Sequence, residues 1–299
     1  MHERVSVIGA VPAPPAGSVR PAPAPAASRR RRRRTGAGSL GRPPGWLIIP
    51  AGLAVAMLAL PLVGLVARVE WDTLWQDVTA PTTLEALWLS VWTGLVATAV
   101  CAVLGIPLGV LVARSSHAVA TGLRVVTMVP LLLPPMVGGV ALLYLLGRNG
   151  WIGQWLAAID VRIPFTPAAV VLAQVFVAMP FLVLAVEGSL RTLSPSLPEA
   201  AATLGASNSQ ILRHVTLPLA APGVIAGLTL CFARAVGEFG ATALFAGNAP
   251  GVTRTMPLAI YTAFNGAGVT QGSAIALSLM LLVTAVGVLL LARAWRPAA

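Results

Sequence analysis

The sequence predicts an all-helical integral membrane protein with six spanning helices, and three observations carry that prediction. Of its 299 residues, 57% are hydrophobic and 10% are charged, with a mean hydropathy of +0.85. A soluble domain carries roughly 25% charged residues, so this composition belongs in a bilayer. Six apolar segments follow a polar tail, each near the roughly 20 residues that a helix needs to cross hydrocarbon. Arginines, finally, are more numerous on one side of the alternating connections than on the other, as they are in a chain that weaves across a membrane.

Residues 1 to about 45 are rich in Pro, Ala and Arg and read as a disordered tail. Its unbroken run Arg29–Arg34 reads as an anchor that keeps the N-terminus in the cytoplasm beside anionic lipid, rather than as a nucleic-acid contact. A twin-arginine export signal fits poorly, because the next apolar segment exceeds a signal h-region of roughly 7–15 residues. The expected spans are Trp46–Ala67, Ala86–Ala113, Leu123–Leu146, Pro167–Leu190, Pro218–Phe245 and Ser273–Ala294. Pro107, Pro130, Pro134, Pro135 and Pro180 lie in or near them. Breaks of that kind are tolerated where helices pack together or line a cavity, so kinked helices around a pathway are expected.

With the N-terminus inside, Arg114, Arg124, Arg191, Arg213, Arg293 and Arg296 fall on the cytoplasmic side. Arg148, Arg162, Arg254 and Arg68 fall outside, where the first outer connection is acidic through Glu70, Asp72, Asp77 and Glu85. The outer connection between spans three and four carries Trp151 and Trp155 beside Asp160 and Arg162, and reads as a short interfacial helix with tryptophan anchors.

Several chemistries are excluded. All 20 basic residues are arginine and no lysine occurs, so the chain lacks the Gly-Lys-Ser/Thr of a standard P-loop. If ATP drives the process, another polypeptide binds it. Cys101 and Cys231 lie apart in apolar segments and read as small core or lipid-facing residues. His2, His117 and His214 make no metal-ligand spacing, and no nucleophile, base and orienting acid come together.

One polar-edged stretch interrupts the hydrocarbon: Glu199-Ala-Ala-Ala-Thr-Leu-Gly205, running on to Leu217-Pro218 and Pro222-Gly223. Ser196 and Glu199 stand at capping-box spacing, with Pro198 tolerated in the first turn. Alanines 200 to 202 favour helix and offer a face that another protein can approach closely. Gly205 suits a left-handed cap, and Ser207 with Gln210 repeats the capping spacing for a second short helix. Helix, sharp turn, helix, on the cytoplasmic side between spans four and five: that is the build of a docking element.

The run EAAATLGASNSQILRHVTLPLAAPGVIAG resembles the cytoplasmic coupling loop of ABC importer permeases, in which Glu-Ala-Ala and a following glycine precede an apolar helix ending in Leu-Pro. Glu199, Ala200, Ala201, Gly205, Leu217, Pro218, Pro222 and Gly223 match that pattern, within a loop at about 194–216. Ser209 and Leu212 depart from it, standing where relatives often carry bulkier groups.

A second site candidate is the charged pair Arg234 and Glu238, four apart in the fifth span. Intramembrane charges face a bundle interior or a wet cavity and default to a functional reading. Counting about 1.5 Å per residue from Pro218 puts Arg234 in the outer half and Glu238 near the outer mouth. The pair either fixes helix packing or forms an outer gate; Gly237 and Gly240 allow a bend or close contact beside it, and both, with Thr242, are read with the pair as the translocation pathway or gate. GEFGATALFAGN, with Thr253-Arg-Thr-Met-Pro257 and Ala259-Ile-Tyr261, is similar to permeases of the molybdate importer group. Sulfate permeases commonly differ after Gly-Glu, so the resemblance points to molybdate or tungstate before sulfate or thiosulfate.

The resemblance implies the six-span fold of type I importer permeases over 46–299, working as a homodimer. It further implies two ATPase subunits that hold ATP and Mg, an external solute-binding protein, and no cofactor on this chain. The rival classes are a secondary transporter, which needs several intramembrane acidic residues, and a membrane scaffold, which leaves the kinked helices and Arg234/Glu238 without a purpose.

Overall fold

A computed structural model describes residues 44–265 and 271–294. The tail with Arg29–Arg34 and His2 lies outside them, as does Arg296. The chain separates into two compact units, Met1–Val55 and Ala56–Ala299. In the first, a single 3-10 turn at Gly45–Leu47 leads into the start of α1 (Ile48–Ala67). The helix buries none of its residues, which for so apolar a segment means a surface made for lipid.

The second unit continues with α2 (Trp71–Thr79), α3 (Pro81–Arg114), α4 (His117–Leu132), α5 (Pro135–Leu146), α6 (Gly153–Ala158) and α7 (Pro167–Arg191). Then follow α8 (Ser196–Thr203), α9 (Asn208–Ile211), a π-helical turn at Leu212–Thr216, α10 (Leu217–Val236), α11 (Gly240–Phe245), α12 (Met256–Phe264) and α13 (Gln271–Ala294). No strand occurs among the described residues.

At the centre stands α7, with 61% of its most apolar window buried against 28% for α3. Ala97 and Cys101 of α3, together with Cys231 and Ala235 of α10, meet Val175, Ala178, Leu182 and Val186 of α7. Small residues facing branched ones let the backbones approach closely, which is how helices associate where lipid removes the hydrophobic incentive. Both cysteines are buried and free, so of the core and lipid-facing readings the core one holds. On its other side α7 meets Ala241 and Phe245 of α11, and Ala246 just beyond it, through Ala169, Val170, Ala173 and Val177.

Six continuous spans are not what the structure shows. Among the described residues four helices are long and apolar enough to cross a membrane: Gly45–Ala67, Pro81–Arg114, Pro167–Arg191 and Asn208–Val236. The expected span Leu123–Leu146 is α4 and α5, bent by 110° into a broken or re-entrant pair. Its cause is local. Pro134 denies the preceding residue the helical region, and both Leu133 and Pro134 are extended, with ψ of 138° and 134°. The expected span Pro218–Phe245 also breaks, at Gly237–Phe239 between α10 and α11. In α13 the described apolar stretch is Gly272–Val288.

Candidate functional site: an exposed helical knob and a charged cleft

The Glu199 segment lies at the end of the bundle where α3 and α7 finish. None of the residues of α8 is buried, and Leu204 beyond it is 88% exposed. Glu199 and Ala200 are exposed and Ala201 is half-buried. The expected capping box at Ser196 is absent, because Pro195 already takes helical angles and Ser196 is therefore inside the first turn. Ser194 serves instead: its hydroxyl accepts from the Ser196 amide at 3.4 Å and lies 2.8 Å from the Ser196 hydroxyl.

The far end of α8 is closed as the sequence requires. Gly205 has φ +86°, its amide donates to Ala202 O at 3.0 Å, and the Ala206 amide donates to Ala201 O at 3.1 Å. Those two bonds are the Schellman pair, which consumes two of the carbonyls a helix leaves open. Ser207 then starts α9 with a complete capping box: its hydroxyl accepts from the Gln210 amide at 3.4 Å, and Gln210 Oε1 accepts from the Ser207 amide at 2.8 Å. Ser207→Ala removes that cap, with an expected local cost of about 1 kcal/mol. Hydrogen exchange over 208–211 should quicken about fivefold, with unfolding of the whole bundle unchanged.

The chain runs from α9 through the π-turn into α10 without a stop. Pro218 has no amide to donate, and its ring crowds the carbonyl four residues earlier, at His214. The wider π-turn just before it relieves that crowding. Leu217 and Pro218 thus form the first turn of α10, and Pro222 is accommodated inside it. Gly223 sits against the Ser189 side chain of α7, whose hydroxyl donates to Ala220 O at 3.2 Å. Of the residues matched by the resemblance, Glu199 to Gly205 thus form the exposed knob and Leu217 to Gly223 its root in the bundle. Arg114, last in α3, ties in the root by donating to Thr216 Oγ1 at 3.1 Å. A groove of about 360 Å³ runs along the knob, lined by Leu204, Gly205, Gln210, Ile211 and His214.

Arg234 is 16 residues past Pro218, about 24 Å along α10. Its guanidinium meets Glu238 Oε2 at 2.7 Å, while Glu238 Oε1 accepts from the Ala241 amide at 2.8 Å. One carboxylate thus both neutralises the arginine and satisfies a free amide in the first turn of α11, holding the break at Gly237–Phe239 in shape. The two partners are not equally buried: the Glu238 side chain is 1% exposed and that of Arg234 26%. Arg234, Gly237, Glu238 and Gly240 line an open cleft of about 310 Å³ with Pro134, Pro135, Met136 and Phe239. Thr242 is not on that surface; it is fully buried on α11. The bend at Pro134 is what brings α5 to this place, and α5 crosses α11 so tightly that a Cβ on Gly139 would come within 2.7 Å of Ala241 O. Phe239 and Tyr261 rings meet at 5.1 Å, which joins the first and the last of the three runs that resemble the molybdate group.

Hydropathy and motif reading missed one cluster. Glu187, in the last turn of α7, accepts from Arg124 Nε of α4 at 2.7 Å and pairs with Arg191 Nε at 2.9 Å, both on Oε1. The local signal was an acidic residue in a span with Arg191 four residues on; Arg124 is 63 residues away. On the opposite connection Trp151 and Trp155 are exposed, at 85% and 79%, as expected of anchors, and Asp160 and Arg162 form a loose exposed pair.

Fold and site together define a multi-pass membrane protein built like the permeases of ABC importers: a bacterial alginate ABC transporter structure superposes with a TM-score of 0.61 at 17% identity, over 83% of this chain and 94% of that one. Residues 105–298 match the family described as binding-protein-dependent transport system inner membrane component, and the chain belongs to it. The molybdenum transport system permease protein ModB of Mycobacterium tuberculosis is 47% identical over 248 residues, 83% of this chain and 92% of that protein. The sulfate transport system permease protein CysT of Escherichia coli is 34% identical over 223 residues, 74% of this chain and 80% of that protein.

Proposed function

We propose that this chain is the permease subunit of an ATP-driven importer for molybdate, with tungstate admitted as a near-isosteric tetrahedral dianion. The observation that carries the reading is the Glu199 knob: a self-capped helix with no buried residue, rooted by Pro218 and Thr216 in an otherwise apolar bundle. A helix so exposed, with Leu197 and Leu204 turned outward, is built to be covered by another protein. That partner is an ATPase subunit, which holds the ATP and Mg that a lysine-free chain has no P-loop for. The knob and both termini then lie in the cytoplasm, in accord with the arginine distribution, and two copies of the chain enclose the pathway. An extracytoplasmic solute-binding protein delivers the anion to the opposite side.

In mechanism, ATP closes the ATPase dimer and draws the two knobs together, and the helices carry that motion to the cleft beside Arg234. The energy comes from the preference of ATP for the closed state, since a ligand shifts an equilibrium only by its difference in affinity between states. Arg234 and Glu238 sum to no net charge, so they exert little long-range pull on an anion. What Arg234 offers in the cleft is a set of guanidinium donors for oxyanion oxygens at contact distance.

Molybdate takes precedence over sulfate on the 47% against 34% identity with the two named permeases, and on the Gly-Glu-Phe-Gly-Ala run at 237–241. Both buried carboxylates among the described residues, Glu187 and Glu238, are paired with arginine. A gradient-driven transporter needs several intramembrane acidic residues, and a set of two, each already paired, disfavours that class. The test is a deletion strain with labelled molybdate and sulfate uptake measured side by side. Loss of molybdate uptake with sulfate uptake intact is the expected result; loss of sulfate uptake alone would move the substrate to the second reading.

A further inference from the structure

We propose that Glu187, held between Arg124 and Arg191, is a positioning residue for transport: the linkage through which displacement of the Glu199 knob reaches the bent α4–α5 pair beside the Arg234 cleft. The inference rests on the coupling role proposed above for the knob. Glu187 is 6% exposed, and a carboxylate buried in an apolar helix is tolerated only when paired. Its two partners belong to different moving parts. Arg191 is the last residue of α7, and α8 begins five residues later at Ser196. Arg124 stands midway along α4, which buries only Ala120 and Thr127. A helix with so few buried side chains is loosely held by packing, so the ion pair is its specific attachment to α7.

Beyond Arg124 the connection stays stiff. The helix ends in the extended Leu133–Pro134 step, and α5 begins at once with Pro135, which lines the cleft. From there α5 lies against the backbone of α11 at Gly139 and Ala241. Knob, α7 terminus, Glu187, α4, bend and cleft therefore form one unbroken series of covalent, ionic and close backbone contacts. Broken at Glu187, the series leaves the knob attached to α7 but α4 free to lag behind it.

The test uses the whole transporter in proteoliposomes, with this chain, its ATPase and its binding protein, and reads molybdate taken up per ATP hydrolysed. For Glu187→Gln that ratio is expected to fall about tenfold, a coupling loss of ordinary allosteric size, while hydrolysis itself stays within about twofold of the wild type. Glu187→Asp, which keeps the charge on a shorter arm, should recover part of the ratio. Should Glu187→Gln fail to assemble, the apolar pair Arg124→Met with Glu187→Met keeps the volume without the ionic tie and should show the same fall. An unchanged ratio in these variants, or uptake and hydrolysis declining in proportion, overturns the proposal. Gly205→Val serves as the control: a normal ratio there removes the coupling reading itself, whereas a lowered ratio there with a normal one at Glu187→Gln removes only the linkage.

Discussion

Gly205→Val is expected to cut molybdate uptake about tenfold or more in the assembled transporter while ATP hydrolysis continues, because a left-handed conformation costs an L-residue about 1–2 kcal/mol and a β-branched one more. The structure says why the effect is conformational. Beyond residue 205 and its two chain neighbours, no heavy atom lies within 4 Å of where its Cβ would be, so the rest of the chain offers nothing for a side chain to strike. What a substitution attacks is φ +86°, and with it the bonds from the Gly205 and Ala206 amides to Ala202 and Ala201. Without them α8 frays at the end that leads into the groove beside Gln210 and His214. The order of a substitution series follows: Asn, which tolerates the left-handed region, nearest the wild type, Ala intermediate, Val worst. If contact with the ATPase decided the outcome, size would govern and Ala would be the mildest. Uptake and hydrolysis measured across the three variants separate the two orders.

That glycine shows which parts of this protein its sequence makes legible. A left-handed cap and the capping box of Ser207 and Gln210 depend on residues within a few positions of one another. Each was readable. Ser196 was not, because its role turned on whether Pro195 takes extended or helical angles, and proline permits both. Hydropathy is blind to the two breaks for a different reason. The residues at 133–135 and 237–240 are as apolar as a continuous span requires, apart from Glu238, and a helix that turns by 110° inside a bundle keeps the same composition as one that crosses straight. The tandem prolines at 134 and 135 announced a kink without its size. Thr242 went astray with them: a continuous fifth helix would carry it one turn beyond Glu238 on the same face, whereas the restart at Gly240 turns it into the core. Glu187 and Arg191 stand at i,i+4 spacing, but the contact with Arg124 depends on α4 and α7 meeting in space, which no local pattern encodes.

The largest stability effect is expected at Arg234→Ala. Removing the guanidinium leaves the Glu238 carboxylate 1% exposed, with the Ala241 amide as its remaining partner, and breaking a buried pair from that side costs about 3–5 kcal/mol. Glu238→Ala should be milder. The abandoned guanidinium is already 26% exposed and can turn into the cleft for water, so the loss is nearer the hydrogen bond given up at α11, about 1 kcal/mol. Thermal unfolding of the purified transporter checks that order, and equal losses would mean that the unequal burial of the two partners does not matter. The double variant Arg234→Met with Glu238→Leu then separates the two roles that an intramembrane pair can have. Replacing both charges by apolar groups of similar volume restores most of the stability, since neither desolvated charge is left behind. Recovered stability with uptake still absent assigns the guanidinium donors to the passing anion; recovered uptake assigns the pair to the shape of the break at Gly237 and takes the oxyanion contact away from Arg234.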